Sequence, residues 1–235
     1  MARLPRISPA GVPVHLIQRG NNRQTCFAGL EDFSAYVSWL KEYSIKYGVD
    51  IHAWVLMTNH VHLLCTPRYD GAVSLMMQSV GRRYVQYFNY QYQRSGTLWE
   101  GRYKSCLVQA EKYLIELYRY IEMNPVRAKM VEDPSEYVWS SYQINALGME
   151  SDLCTPHPEY LRLGGTKSER LKNYRALFAC HVEGDLLDEI RLGLNRGMAI
   201  GHDRFKEEIE KLTGRRLRSK KVGRPIGWRK TIEDI

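Results

Sequence analysis

The patterned segments of this chain predict an α/β (α+β) domain, a split β-α-β, mostly antiparallel sheet with an added helix. Three observations carry that expectation. Strand-like and helix-like stretches follow one another in the order β-α-β-β-α-β-α. Two of the strand-like runs are separated only by Thr58-Asn59, a tight turn that makes them a hairpin. The helical stretches stop at residues that end helices: Gly48, Arg94-Ser95-Gly96 and Pro125.

Each element follows from its residues. Val12–Arg19 is rich in β-formers and runs into the polar turn Gly20-Asn21-Asn22-Arg23. Residues 31–47 place Phe33, Tyr36, Val37, Leu40, Tyr43 and Tyr47 at helical spacing. Val49–Met57 is a second strand and His60–Thr66 a third. A long helix over 72–92 follows, with Leu75, Met76, Ser79, Arg83, Tyr87 and Tyr90 at intervals of three and four. Leu98–Gln109 reads as strand with a glycine bend, and 110–123 as a third helix that Pro125 must end or kink. This order is the ferredoxin-like one, with helices packed on one face of the sheet. The core ends near Tyr142, residues 148–168 read as loop, and short helices are expected over 168–182, 186–194 and 203–212. The expected division is a domain of residues 1–145, a helical extension over 146–212 and a basic tail over 213–235.

Composition limits the classes of function. No apolar run approaches the roughly 20 residues that cross a bilayer, and the basic N-terminus lacks the apolar core of a signal peptide. The five cysteines are odd in number and scattered without Cys-x-x-Cys spacing, so neither a disulfide framework nor a zinc knuckle is indicated, and a reducing cytoplasm fits best. The net charge is +8, and residues 211–230 hold nine lysines and arginines with no acid. Such a field attracts polyanions, nucleic acid first, although a solvated basic tail without a target has the same composition.

The most informative stretch is Asn59-His60-Val61-His62. Histidines at i and i+2 of a strand share a face, so both imidazoles can meet one divalent cation while Val61 points to the core. Two imidazoles leave open positions, which suits catalysis better than structure. The bland reading is two histidines on a solvated strand face. In the third helix, Tyr120 and Asn124 are four apart and share a face, so a hydroxyl and an amide oxygen can reach one point. A tyrosine nucleophile suits phosphodiester transfer, because the bond energy is kept in a phosphotyrosine ester. On spacing alone Tyr113 and Tyr118 compete with Tyr120, and Asn124 fits equally a helix-end residue satisfying backbone groups.

Three blocks then carry a family resemblance: the run from Trp54 through His60 and His62 to Leu64, the run Leu98–Ser105, and the run from Tyr118 through Tyr120 and Asn124 to Ala128. Together, and in this order, they resemble the single-tyrosine HUH (IS200-like) transposases, and within them the REP-associated tyrosine transposase branch. The resemblance runs from about residue 10 to 145, and the Gly223-Arg224-Pro225 element of the tail also occurs in that branch. It implies that residues 1–145 are a catalytic domain whose added helix carries the catalytic Tyr120. His60, His62 and Asn124 would be the metal ligands, for Mg²⁺ or Mn²⁺. The activity implied is that of a DNA endonuclease and strand transferase, forming a 5′-phosphotyrosine link on single-stranded DNA with a hairpin in a palindromic repeat. No nucleotide cofactor and no membrane partner are expected, and the protein would act at the nucleoid of a bacterial cytoplasm as a monomer or homodimer. Some relatives build the site from two subunits.

Single strands are bound by basic grooves with aromatic platforms. The candidates are Arg19, Asn21, Asn22 and Arg23 at the first turn, Arg82 and Arg83 on the long helix, and Trp99, Arg102 and Lys104 beyond it. In the tail they are Arg215, Arg216, Arg218 and Arg224, either gripping a minor groove or adding salt-sensitive affinity. Two other readings stay open: a DNA-binding protein whose site no longer cuts, and a hydrolase in which His60, His62 and a carboxylate such as Glu122 activate water.

Overall fold

The structure, a computed structural model, describes residues 6–179 and 184–217. Four strands form one sheet in the order β2-β3-β1-β4: β1 is Val14–Arg19, β2 Val49–Met57, β3 His60–Pro67 and β4 Lys104–Leu107. Every pairing in it is antiparallel, which is the ferredoxin-like order. Thr58-Asn59 closes the β2–β3 hairpin with Met57 opposite His60. The strand expected over 98–109 is shorter, because only 104–107 pairs as a ladder, with isolated bridges at Trp99 and Val108. The chain before it wraps the end of β1, where Asn21 N donates to Leu98 O and Glu100 N to Arg19 O, both at 2.9 Å.

The helices are on both faces of the sheet, not on one as expected. Helices α1 (Leu30–Lys46) and α2 (Ala72–Gln91) cover the face formed by Leu16, Leu56, Val61 and Leu63. Helix α3 (Ala110–Glu122) covers the opposite face, packing on Ala53, Val55, Met57 and Leu64. The central strands are buried at most positions on both faces, so each face needs a cover. Pro125 does not break the chain sharply. Met123 keeps α geometry (φ −84°, ψ 0°) and a one-turn helix α4, Asn124–Arg127, follows.

Further along come the short helices α5 (Tyr142–Asn145) and α6 (Pro158–Leu161), then α7 (Lys167–Ala176), α8 (Gly184–Arg196) and α9 (Asp203–Thr213). Helix α3 is tied to these later segments through Glu122. Its buried carboxylate accepts from Ser141 Oγ at 2.5 Å, Tyr174 OH at 2.6 Å and Asn145 Nδ2 at 2.8 Å. Burial outweighs those three donors and pushes the carboxyl up to about 7. A carboxyl with a raised folded pKa binds protons more tightly in the native state, so its contribution to stability falls as pH rises from about 4.5 to about 7. Denaturant unfolding is therefore expected to show Glu122→Gln gaining about 2 kcal/mol on the wild type between pH 5 and pH 8. A difference that does not change with pH would contradict the assignment.

Candidate active site

His60 and His62 lie on the α3 face of β3, and their ring centroids are 5.2 Å apart. Neither stands on an open strand face: His62 is buried and His60 half-buried. A neighbour sets the tautomer of His60. Asn59 Nδ2 donates to Arg23 O at 3.1 Å, which turns Asn59 Oδ1 toward His60 Nδ1 at 2.6 Å. Nδ1 of His60 therefore carries the proton, and Nε2 keeps its lone pair for the cleft. His62 Nδ1 lies 3.0 Å from Nε2 of a third buried histidine, His15 of β1. With the shared proton on His62, its Nε2 is likewise bare. Burial first, then neighbouring positive charge or histidine, lowers all three: His15 to about 3, His60 to about 4, and His62 well below its ordinary value. All three are neutral imidazoles at neutral pH.

Tyr120 of α3 faces this cluster within the same chain. Its ring lies 5.7 Å, edge-on, from both His15 and His62. The Arg127 guanidinium sits over that ring, 4.2 Å from its centroid, and its Nη2 donates to the Tyr120 carbonyl. Asn124 lines the same cleft, with Nδ2 donating to Tyr120 O at 2.9 Å and Ile121 O at 3.1 Å. The amide nitrogen thus satisfies the end of α3, the helix-end role, and the amide oxygen is the atom left for a ligand. The competing tyrosines are elsewhere. Tyr118 is fully buried against Tyr160 and Tyr174, and Tyr113 lies among Lys112 and Glu189.

These residues open on a cleft of about 1190 Å³. Its lining holds seven arginines and one lysine against a single acid, Glu100, so it is a field for an anion. Arg19, Asn22, Arg23, Arg102, Lys104 and Arg215 are in that lining. Asn21 sits beside it, with its backbone N–H spent on Leu98. Other expected contacts are not brought to the cleft. Arg82 and Arg83 are on α2, across the sheet, where Arg83 pairs with Glu42 at 2.7 Å and stacks on Trp39. Trp99 is no exposed platform: it is 6% exposed and fills the α1–α2 core against Tyr36 and Tyr84. Arg216 lines a separate groove beside Lys211. Arg218 and Arg224 lie outside the described residues.

Two bare imidazole nitrogens and an amide oxygen fit a divalent cation that keeps open positions. Among the described residues no group of three His, Cys, Asp or Glu side chains could hold a metal, so a carboxylate-rich site is not offered. Glu122 in particular is sealed in its own network and cannot serve the water-activating alternative. The sequence reading missed His15, Arg127 and the cleft-lining Arg191, Asn195 and Arg196. A signal existed only for Arg127, which follows Asn124-Pro125 in the third block.

Among solved structures, the fold is similar to that of a REP-associated tyrosine transposase bound to a REP hairpin. The TM-score is 0.54 at 18% identity, over 67% of this chain and 93% of that one. A transposase candidate from Deinococcus radiodurans R1 is 22% identical over 52% of this chain and 96% of its own, with a TM-score of 0.36, too low for a comparison of folds. No curated protein matches the sequence. No described helix is long and apolar enough to cross a membrane. The family model for IS200-like transposases matches residues 10–124, a span that contains all four strands, both cleft histidines, Tyr120 and Asn124. Over that segment the chain is similar to the IS200-like transposases.

Proposed function

We propose that this protein is a metal-dependent endonuclease and strand transferase of single-stranded DNA, acting through Tyr120. The observation that carries the reading is the placement of Tyr120 against His62 at the floor of a cationic cleft. Tyr120 Oη forms a bond to phosphorus while the bond from phosphorus to the 3′ oxygen breaks. The phenol loses a proton and the 3′ oxygen gains one, leaving a 5′-phosphotyrosine and a free 3′-OH. The ester keeps the bond energy, so the reverse step joins a 3′-OH without a nucleotide cofactor. Arg127, over the ring, offsets negative charge on the phenolate as it attacks and as it leaves. The cleft arginines hold the strand and orient the phosphate. His60, His62 and Asn124 would hold Mg²⁺ or Mn²⁺, which when bound draws charge from a non-bridging oxygen.

The family and the hairpin-bound relative of similar fold support hairpin-bearing DNA as substrate. That substrate would place the protein at the nucleoid of a bacterial cytoplasm. In the proposed division, residues 1–145 perform catalysis, 146–212 form the extension and 213–235 add a basic tail.

Labelled hairpin DNA with single-stranded flanks, incubated with protein and Mn²⁺, tests the reaction on a denaturing gel. An SDS-resistant protein–DNA adduct is expected. Cleavage without an adduct would support a hydrolase, and binding with neither would support a silent DNA-binding protein. The metal assignment has its own test. Saturating Mn²⁺ should raise the thermal midpoint of the wild type by several degrees, since a ligand held at about 100 times its Kd adds about 2.7 kcal/mol. His60→Ala should lose most of that rise, and an equal rise in both proteins would remove His60 from the site.

A further inference from the structure

We propose that α8 is the second wall of the DNA cleft, with Arg191 and Arg196 contacting phosphates of the single strand. This deepens the reading above and rests on it. Arg191 and Asn195 are one turn apart on α8, Arg196 is its last residue, and all three line the cleft that holds His60, His62 and Tyr120. They lie beyond residue 124, where the match to the family ends, so the family's shared segment does not supply them.

The helix is fixed to the catalytic sheet rather than appended to it. Its own Ile190 and Leu194 are buried in the core on the α3 side of the sheet. At Gly193 an added Cβ would come within 2.9 Å of Ile200 and 3.6 Å of Cys106 on β4, so only glycine allows this close approach. The segment after α8 then joins the sheet edge. Ile200 N donates to Leu107 O at 2.7 Å, and Gln109 N donates to Ile200 O at 2.9 Å. The Gln109 side chain holds the next turn, accepting from His202 N at 3.0 Å. Across the cleft, Lys104 Nζ donates to Asn195 Oδ1 at 3.0 Å, which joins the two walls.

The charges on this wall face a like-charged partner. Arg191 has one carboxylate partner, Asp188 at 3.2 Å, and both side chains are more than half exposed, so the pair holds it weakly. Its charge also reaches Arg127. Burial works against the Arg127 cation, Tyr120 favours it, and Arg191 works against it again. An anion between them relieves that repulsion. A sugar-phosphate backbone threaded past Tyr120 supplies one phosphate after another, and helical arginines four to five residues apart can meet successive ones.

The test uses the full chain and two probes. Fluorescence anisotropy with oligothymidylate over a salt series reads backbone contacts, because phosphate contacts are independent of sequence. The R191A/R196A double variant should bind roughly tenfold or more weakly, with a log–log salt slope shallower by about 1.4, two contacts at about 0.7 each. K167A/K172A, which removes the same charge from α7 outside the cleft, should leave the slope unchanged. A wild-type slope in R191A/R196A, or equal losses from both pairs, would overturn the proposal. Adduct formation by the wild type on a pool of hairpins, run in parallel, reports the proposed reaction separately. Its absence would remove that reaction, while the salt slope still decides whether α8 touches DNA.

Discussion

Tyr120→Phe is expected to abolish the protein–DNA adduct and to lower cleavage by at least about 10³-fold, while DNA binding stays within about threefold of wild type. The change removes one oxygen from a ring that is 7% exposed and packed edge-on against His15 and His62. Among the described residues no hydrogen bond from that hydroxyl holds another element in place, so the fold should be indifferent to its loss. Cation–π contact with Arg127 survives in phenylalanine. A thermal midpoint near that of the wild type, together with lost cleavage, separates chemistry from folding. Residual cleavage within tenfold of the wild type would mean that another group attacks phosphorus.

Arg127→Met should come next in size, with cleavage reduced about 10²- to 10³-fold, the scale of losing one charge-stabilising group in a preorganised site. Arg127→Lys keeps a charge but not the planar stack, and should recover only part of the rate. In the proposed reaction phenolate is the nucleophile in one direction and the leaving group in the other, so rejoining from isolated adduct should slow by a similar factor. That symmetry distinguishes the role from a structural one. A variant that merely disturbed α4, through the lost bond to the Tyr120 carbonyl, would lower the thermal midpoint and binding together.

Much of the scaffold was legible because it is written locally. Strand β2 has the bounds its β-formers suggested, and the two-residue turn after it fixed the hairpin and put both histidines of β3 on one face. Tyr120 and Asn124 share a site because the chain stays helical through Met123 and into α4, despite Pro125. What the sequence concealed is long-range. His15 meets His62 across 47 residues, and a lone histidine in a strand has no spacing that marks its partner. Lys104 meets Asn195 across 91 residues, so nothing local ties α8 to the cleft. Conversely, Trp99 and Arg83 carry the residue types of a DNA surface. Their surroundings spend them otherwise, one in an aromatic core and the other on Glu42 and Trp39. The helix expected on the same face as the others lies on the opposite one, because alternation tells which residues of a strand are apolar and not which helix will cover them.

The identity of the attacking residue decides the whole account, and peptide mapping of the adduct reads it directly. Protein incubated with hairpin DNA and Mn²⁺ would be digested with protease and nuclease and examined by tandem mass spectrometry. A nucleotide on Tyr120, linked through its 5′ phosphate, is the predicted result. The same mass on Tyr113 or Tyr118, or cleaved DNA with every tyrosine unmodified, would contradict it.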